Sequence, residues 1–400
     1  MDKRSVVPLD EDSLVAWARR NTGLSDFGAN DWYEPFKVLI RSLDEDADLH
    51  LMGRLMARAE ILNLLEARLQ IENEFRLHPE IAEETISRPL VIMGQGRSGT
   101  SVLLNFLAAD PRMGAPMHWE LQYPVPAPRP ETYRTDGRIE RADRFIRQQV
   151  RVTPEIDSMH EFGGAVPQEC IKLWALNFMS MPWWVIHGQV KEYANYMVGQ
   201  DMALAYAYQK RVMQLLQWKN PRRHWVLKTP AHLDYLPQLL KVFPDACLVW
   251  THRDPVKALA SMINFVPTLQ WAHSNSPMKG AADNPNPANV FDAITNLSFA
   301  SRRLEQVIDW IEQGVVPRER ICNIQYRDFM RDPIDTVTRV YNYFGIGFPR
   351  DSRKAIEDYI TRNPRDARPA HQYTGGSRQR VEEVRAVFKR YQDYFGVPNE

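Results

Sequence analysis

Arg88-Pro-Leu-Val-Ile-Met-Gly94-Gln-Gly96-Arg97-Ser98-Gly99-Thr100-Ser101 is the stretch that decides the fold. The apolar run Leu90–Met93 reads as a buried strand, the glycines as a tight turn, and Leu103, Leu104 and Leu107 as one face of a helix opening at that turn. Such a turn is an anion cradle, because glycines let backbone N–H groups approach a phosphate and the helix presents its positive dipole end. A nucleoside triphosphatase loop would read G-x-x-x-x-G-K-[ST], with the lysine on the terminal phosphates and the hydroxyl on magnesium. Here Gly94 and Gly99 keep the spacing, but Thr100 stands where that lysine belongs. The cation is instead Arg97, inside the loop beside Ser98, Thr100 and Ser101, which suits an anion held without a metal. Gly94, Gly96 and Gly99 also spell the dinucleotide turn G-x-G-x-x-G, with Glu120 in reach of the ribose-binding position. Against that reading, Pro111–Trp119 carries two prolines and makes a poor second strand.

Working outward, Ala246–Met262 gives another apolar strand ending at Arg253, then a helix with Pro255 in its first turn and Ser261 eight residues beyond the arginine. A guanidinium at the strand exit and a hydroxyl two turns into the helix are placed to meet one phosphate group. The structural alternative for Arg253 is a salt bridge to Asp254 or Asp328. A third strand, His224–Thr229, delivers Lys228 at its carboxyl end. A buried unpaired ammonium is costly, so this lysine is expected to face an anionic ligand.

The loop Gly96–Ser101, the strand Val226-Leu-Lys-Thr-Pro230 and the pair Arg253 with Ser261 together resemble the sulfotransferase family, in its bacterial branch related to tyrosylprotein sulfotransferases. The similarity covers roughly residues 85 to 395. It implies an α/β, P-loop-like three-layer sandwich around a mainly parallel sheet, and 3′-phosphoadenosine 5′-phosphosulfate (PAPS) as sulfo donor. It further implies that Gly96, Arg97, Ser98, Gly99, Thr100 and Ser101 hold the 5′-phosphosulfate, that Arg253 and Ser261 hold the 3′-phosphate, and that Tyr326 lines the nucleotide site. Lys228 matches the residue that steadies the bridging oxygen of the leaving phosphate. Two positions depart from the family pattern, Gly96 where proline is usual and Ser101 where threonine is common, and neither removes a donor. The alternative is a nucleotide-binding enzyme of other chemistry, a P-loop kinase-like protein or a Rossmann oxidoreductase.

Sulfuryl transfer needs in-line positioning and neutralisation of charge on the leaving oxygen, tasks for Arg97 and Lys228, and no metal is implied. A base for the acceptor hydroxyl has two candidates. Glu120 lies 23 residues after Arg97 and resembles the acidic base of the tyrosylprotein branch, whereas His160 lies 63 residues after it, nearer the histidine of the small-molecule branch. An imidazole has the better unperturbed pKa for this work, near 6.5, and a glutamate needs burial to raise its own. Without the resemblance, Glu120 reads as a surface or capping residue and His160 as a histidine bonded to Glu161.

Fifty basic and fifty acidic residues leave no net charge, which argues against a general nucleic-acid or anionic-membrane binder. Cys170, Cys247 and Cys322 are far apart with no C-x-x-C pair, and the start of the chain lacks an apolar signal core, so reduced thiols in the cytoplasm and no transmembrane segment are expected. Residues 1–85 read as a helical extension, with an amphipathic run from Leu55 to Phe75 that packs on the core or on a second copy in a homodimer. Residues 86–400 read as the sulfotransferase P-loop-like domain, with 113–221 an insertion that caps the acceptor site at the strands' carboxyl ends. Within it Trp174, Phe178, Met179, Met181, Trp183 and Trp184 read as core packing, as an acceptor pocket for a hydrophobic alcohol or phenol within the wider class of small-molecule or lipid-like hydroxyl acceptors, or as a face that partly docks on a membrane surface. Thr268–Ala288 has the composition of a lid, and Gly375-Gly-Ser-Arg378 that of a helix start capped by Ser377, the alternative being a turn that adds donors to the nucleotide phosphate.

Overall fold

The structure, a computed structural model, describes residues 2–276, 296–364 and 377–400. Five parallel strands form its sheet: β1 (Leu90–Gly94), β2 (Met113–Gly114), β3 (His224–Lys228), β4 (Cys247–His252) and β5 (Ile321–Gln325), in the order β2-β3-β1-β4-β5. The register pairs Leu90 with Val226 on one side and with Cys247 on the other, so Gly94 reaches Thr251 just where the loop begins.

β1, β3 and β4 are buried throughout apart from His224, which is why they read as apolar runs and not as alternating ones. Alternate residues nevertheless serve different cores. Val91, Met93, Leu227, Leu248 and Trp250 pack into one cluster with the helices that precede residue 78, those of the 113–221 insertion, and Leu297–Glu312. Leu90, Ile92, Val226, Cys247 and Val249 pack into the other with helices Thr100–Ala108, Pro333–Tyr343 and Arg350–Arg362. The sheet is thus the middle of three layers, as expected from its residues.

β2 shows why the dinucleotide reading fails. It is two residues long and pairs with β3, not β1, so the glycine loop does not open a compact βαβ unit with its neighbour. Because β3 and β4 flank β1 on opposite sides, the carboxyl end of β1 is a topological switch point. A crevice opens there in sheets of this kind.

The long helix Leu51–Leu77 buries Ile61, Leu64, Leu65, Leu69, Ile71 and Phe75. Its buried Arg68 donates to the Phe27 carbonyl at 2.8 Å and to Asn177 Oδ1 at 2.7 Å, tying the amino-terminal helices to the insertion. Trp174, Phe178, Met179 and Trp184 are almost wholly buried in the first cluster, so of the three readings offered for that aromatic run they take core packing. Of the lid-like segment, Trp271 is exposed and His273 buried, while Gly280, Pro285 and Pro287 lie outside the described residues, as do Gly375 and Gly376. Ser377 caps helix Arg378–Val387 by accepting from the Arg380 N–H, as its position suggested. Among the described residues, no helix is long and apolar enough to cross a membrane. Cys170, Cys247 and Cys322 are free and buried.

Candidate active site

The end of β1 and the loop after it take positive φ at three residues, 151° at Gly94, 70° at Arg97 and 91° at Gly99. At Gly99 a Cβ would come 2.9 Å from the Tyr326 ring, so glycine is required by both backbone and space. Arg97 has no such freedom. Its left-handed backbone is held by what the side chain does, donating from Nε to Ser261 Oγ at 3.0 Å and from Nη1 to the Met159 carbonyl at 3.0 Å. Ser98 is buried, donating to the Gln95 carbonyl at 2.6 Å and lying 2.8 Å from Thr251 Oγ1 on β4, so it braces the loop from behind. Helix Thr100–Ala108 then starts, and its first N–H groups have no acceptor within the helix.

A cleft of ≈ 230 Å³ opens over this loop, lined by Arg97, Gly99, Thr100, Ser101, His160, Glu169, Lys228, Arg253 and Tyr326. Residues from four strand ends therefore converge. Lys228, 1 % exposed at the tip of β3, donates to Ser101 Oγ at 2.9 Å and ion-pairs with Glu169. Thr229 Oγ1 donates to the other Glu169 oxygen at 3.0 Å. Burial works to raise the Glu169 pKa, but the ammonium of Lys228 and these hydrogen bonds outweigh it and hold the carboxyl below its ordinary value.

Arg253 leaves β4 with its guanidinium 4.0 Å from the centre of the Tyr326 ring. It donates to the Arg97 carbonyl at 2.8 Å and pairs with Glu400 at 3.2 Å, not with Asp254 or Asp328. Asp254 is engaged by Arg385 and caps the following helix. Of the two residues expected to share a phosphate, Arg253 lines the cleft, while Ser261 is 1 % exposed and stands behind Arg97.

His160 also lines the cleft. Its Nδ1 lies 2.8 Å from the Glu161 carbonyl, which can only accept, so Nδ1 carries the proton and Nε2 a lone pair. Burial, the Lys228 charge and Arg97 push its pKa down to about 4, against the opposing pull of Glu169 and the Glu161 carbonyl. The ring is accordingly neutral near pH 7.

A family model described as "Sulfotransferase family" matches residues 89–350, more than half of the chain and all five strands of the sheet. The chain belongs to the sulfotransferase family. Among curated relatives, the omega-hydroxy-beta-dihydromenaquinone-9 sulfotransferase Stf3 of Mycobacterium bovis and that of Mycobacterium tuberculosis are each 23% identical over 295 residues, covering 72% of this chain and 70% of theirs. Two solved structures are similar over nearly the whole length. Sulfotransferase STF1 of M. tuberculosis H37Rv has TM-score 0.76 and 27% identity, covering 95% of this chain and 98% of its own. STF9 of Mycobacterium avium has TM-score 0.78 and 25% identity, covering 98% of each.

This sulfotransferase does not bring Glu120 to the cleft. Its carboxylate is wholly buried, accepts from the Met117 N–H at 3.0 Å as a capping residue, and ion-pairs with Arg222, itself 5% exposed. Of its two structural readings, capping is the one adopted, though deep in the protein and not at its surface. Two carboxylates do line the cleft, Glu161, which accepts from Asn105 Nδ2 at 3.0 Å, and Glu169, which pairs with Lys228 and which the sequence reading passed over. Its only advance signal was a position just before helix Cys170–Ala175, two residues after Pro167.

Proposed function

We propose that this enzyme transfers a sulfuryl group from PAPS to the hydroxyl of an apolar, lipid-like acceptor. The observation that carries this reading is the convergence of Arg97, Lys228 and Arg253 on one cleft over the glycine loop and the start of helix Thr100–Ala108. Gly96–Ser101 would hold the 5′-phosphosulfate, the helix start and Arg97 supplying donors. Arg253 would hold the 3′-phosphate, with Tyr326 beside it, while Ser261 fixes the Arg97 fork that serves the 5′-phosphosulfate. PAPS supplies the activated sulfuryl group.

The chain's own residues divide the remaining work. Lys228 is balanced by Glu169 before donor binds, and a second anion draws its ammonium toward the bridging oxygen, where leaving charge develops. That same shift removes what holds the Glu169 pKa down, and burial then makes it a stronger base. The acceptor oxygen forms its bond to sulfur as the bond to the bridging oxygen breaks, its proton passes to Glu169, and adenosine 3′,5′-bisphosphate leaves. A second reading puts the proton on Nε2 of His160, favoured by its lone pair and neutral ring. Glu120 is proposed to hold the base of the insertion in place through Arg222 and not to touch the acceptor.

The lipid-like acceptor is supported by the menaquinone derivative in the name of the mycobacterial relatives and by the apolar residues Met159, Val166 and Pro167 that the 113–221 insertion contributes to the cleft wall. The test is mass spectrometry of a metabolite extract incubated with enzyme and PAPS. A new sulfated apolar product that depends on Lys228 supports the reading, and unchanged extract overturns it.

A further inference from the structure

Arg253, assigned above to the 3′-phosphate, is paired with an anion supplied by the chain itself. Helix Lys389–Phe395 ends at Gly396 in a left-handed turn, φ 61°, and the residues beyond it run back to the exit of β4. Val397 is buried, and its N–H donates to the Gln392 carbonyl at 2.9 Å. Asn399 Oδ1 accepts from Gln392 Nε2 at 3.0 Å and from Arg385. The Glu400 N–H then donates to Asp254 Oδ2 at 2.8 Å, an oxygen that also accepts from Arg385 Nη2 at 3.0 Å. Asp254 is wholly buried, so the backbone at Glu400 is tied to the interior.

From that anchor the Glu400 side chain reaches Arg253, with Oε2 accepting from Nε at 3.2 Å. The arginine side chain is 13% exposed and the glutamate 20%, so water and salt screen this pair less than one fully at the surface. Arg253 lines the cleft and Glu400 does not. The carboxylate therefore holds the arginine from outside the cleft, and a nucleotide can enter without displacing it.

Orientation alone does not call for a charge at this position. The Arg97 carbonyl accepts from Arg253 Nη1 at 2.8 Å and the Tyr326 ring lies 4.0 Å from the guanidinium carbon, so the group is already held at one end and over one face. What Glu400 adds is a negative charge. A guanidinium carries one positive charge, and a phosphate monoester at neutral pH about 1.5 to 2 negative ones. The 3′-phosphate thus meets a cation already neutralised, with a like charge fixed behind it.

We propose that Glu400 is a fixed counter-charge that lowers the affinity of the site for every nucleotide bearing a 3′-phosphate, donor and bisphosphate product alike. The product must leave in each turnover, and a weaker hold on its 3′-phosphate speeds that release. The proposal rests on the assignment of the 3′-phosphate to Arg253.

The test is calorimetric titration of the full protein with adenosine 3′,5′-bisphosphate and with adenosine 5′-monophosphate, which lacks the 3′-phosphate. Glu400→Gln keeps an oxygen for Arg253 Nε and removes the charge. The bisphosphate should bind about tenfold tighter to Glu400→Gln than to the wild type, and monophosphate affinity should change less than about twofold. Raising NaCl from about 0.05 M to about 0.5 M should narrow the bisphosphate difference. Unchanged or weaker bisphosphate binding, an equal gain for the monophosphate, or a difference that ignores salt each overturns the proposal. Arg253→Met, its folding checked by retained monophosphate binding, shows a failure of the underlying assignment separately. If that variant binds the bisphosphate as the wild type does, the 3′-phosphate is not on Arg253 and both ideas fall. If it binds the bisphosphate more weakly while Glu400→Gln shows no gain, only the role given to Glu400 falls.

Discussion

Lys228→Met removes the charge on which the proposed chemistry turns, at nearly constant side-chain length. Lys228 is 1% exposed and makes only two described contacts, Ser101 Oγ at 2.9 Å and Glu169. In the resting protein the substitution strands Glu169. Breaking a buried pair costs about 3–5 kcal/mol, but Glu169 is 21% exposed and keeps Thr229, so the loss should fall below that range. In the transition state a preorganised donor facing developing charge is worth about 2.7–4 kcal/mol, or about 10²–10³ in kcat. A charge-assisted hydrogen bond of about 1.5–3 kcal/mol sets a floor of about tenfold. Initial rates should be measured with PAPS and whichever acceptor the extract identifies, alongside calorimetry with adenosine 3′,5′-bisphosphate, which lacks the sulfuryl group. We expect kcat to fall by about 100-fold or more and bisphosphate affinity to change less than about tenfold. The double variant Lys228→Met/Glu169→Gln should recover thermal stability without recovering rate, since it removes the stranded charge and not the defect. A Lys228→Met enzyme within about threefold of the wild-type rate would refute the reasoning.

Other outcomes follow from the same geometry. Gly99→Ala places a methyl group 2.9 Å from the Tyr326 ring at a φ of 91°, and bisphosphate binding measured by calorimetry should be lost or severely weakened. Glu120→Leu leaves Arg222 buried and unpaired, so thermal melting should report a loss of about 3–5 kcal/mol while kcat of the folded fraction stays near wild type; a rate collapse with intact stability would return Glu120 to the chemistry. The pH profile of stability follows from the deeply buried histidines His118, His232, His252 and His273, whose pKa values burial lowers to about 3 or about 4. Below pH 6.5 the unfolded chain takes up protons that these folded rings refuse, so each contributes a loss of about 1.4 kcal/mol per pH unit as pH falls toward its folded value. The melting temperature should drop steeply between pH 6.5 and 5, and a flat profile would show that the rings are not buried as neutral groups.

The sequence was most readable where one segment does one thing. β1 and its glycine loop carry their own signal, since an apolar run, positive-φ glycines and a helix start are local features. The lysine ending β3 and the arginine leaving β4 were legible for the same reason, because a buried parallel strand fixes where its last residue points. Pairings between distant segments were not. Glu120 meets Arg222 across 102 residues of chain, and nothing near either residue announces it. In the same way Glu169 reaches Lys228 only because the insertion folds back over the strand ends, a consequence of packing and not of spacing. Ser261 was placed on the correct helix, but whether its hydroxyl faced a ligand or Arg97 depended on a rotation of that helix that apolar periodicity does not fix. The aromatic run Trp174–Trp184 read first as core and second as pocket, because large apolar side chains line both, and the packing of the amino-terminal helices decides for core at Trp174, Phe178, Met179 and Trp184, while Met181 and Trp183 are only partly buried.

The account stands on one cleft gripping both ends of one nucleotide, and a crystal structure with adenosine 3′,5′-bisphosphate tests that most directly. It should show the 5′-phosphate on the N–H groups of Gly96–Ser101 within reach of Arg97 and Lys228, and the 3′-phosphate bonded by the Arg253 guanidinium beside Tyr326. A nucleotide bound elsewhere, or in this cleft with its 3′-phosphate turned away from Arg253, would contradict it.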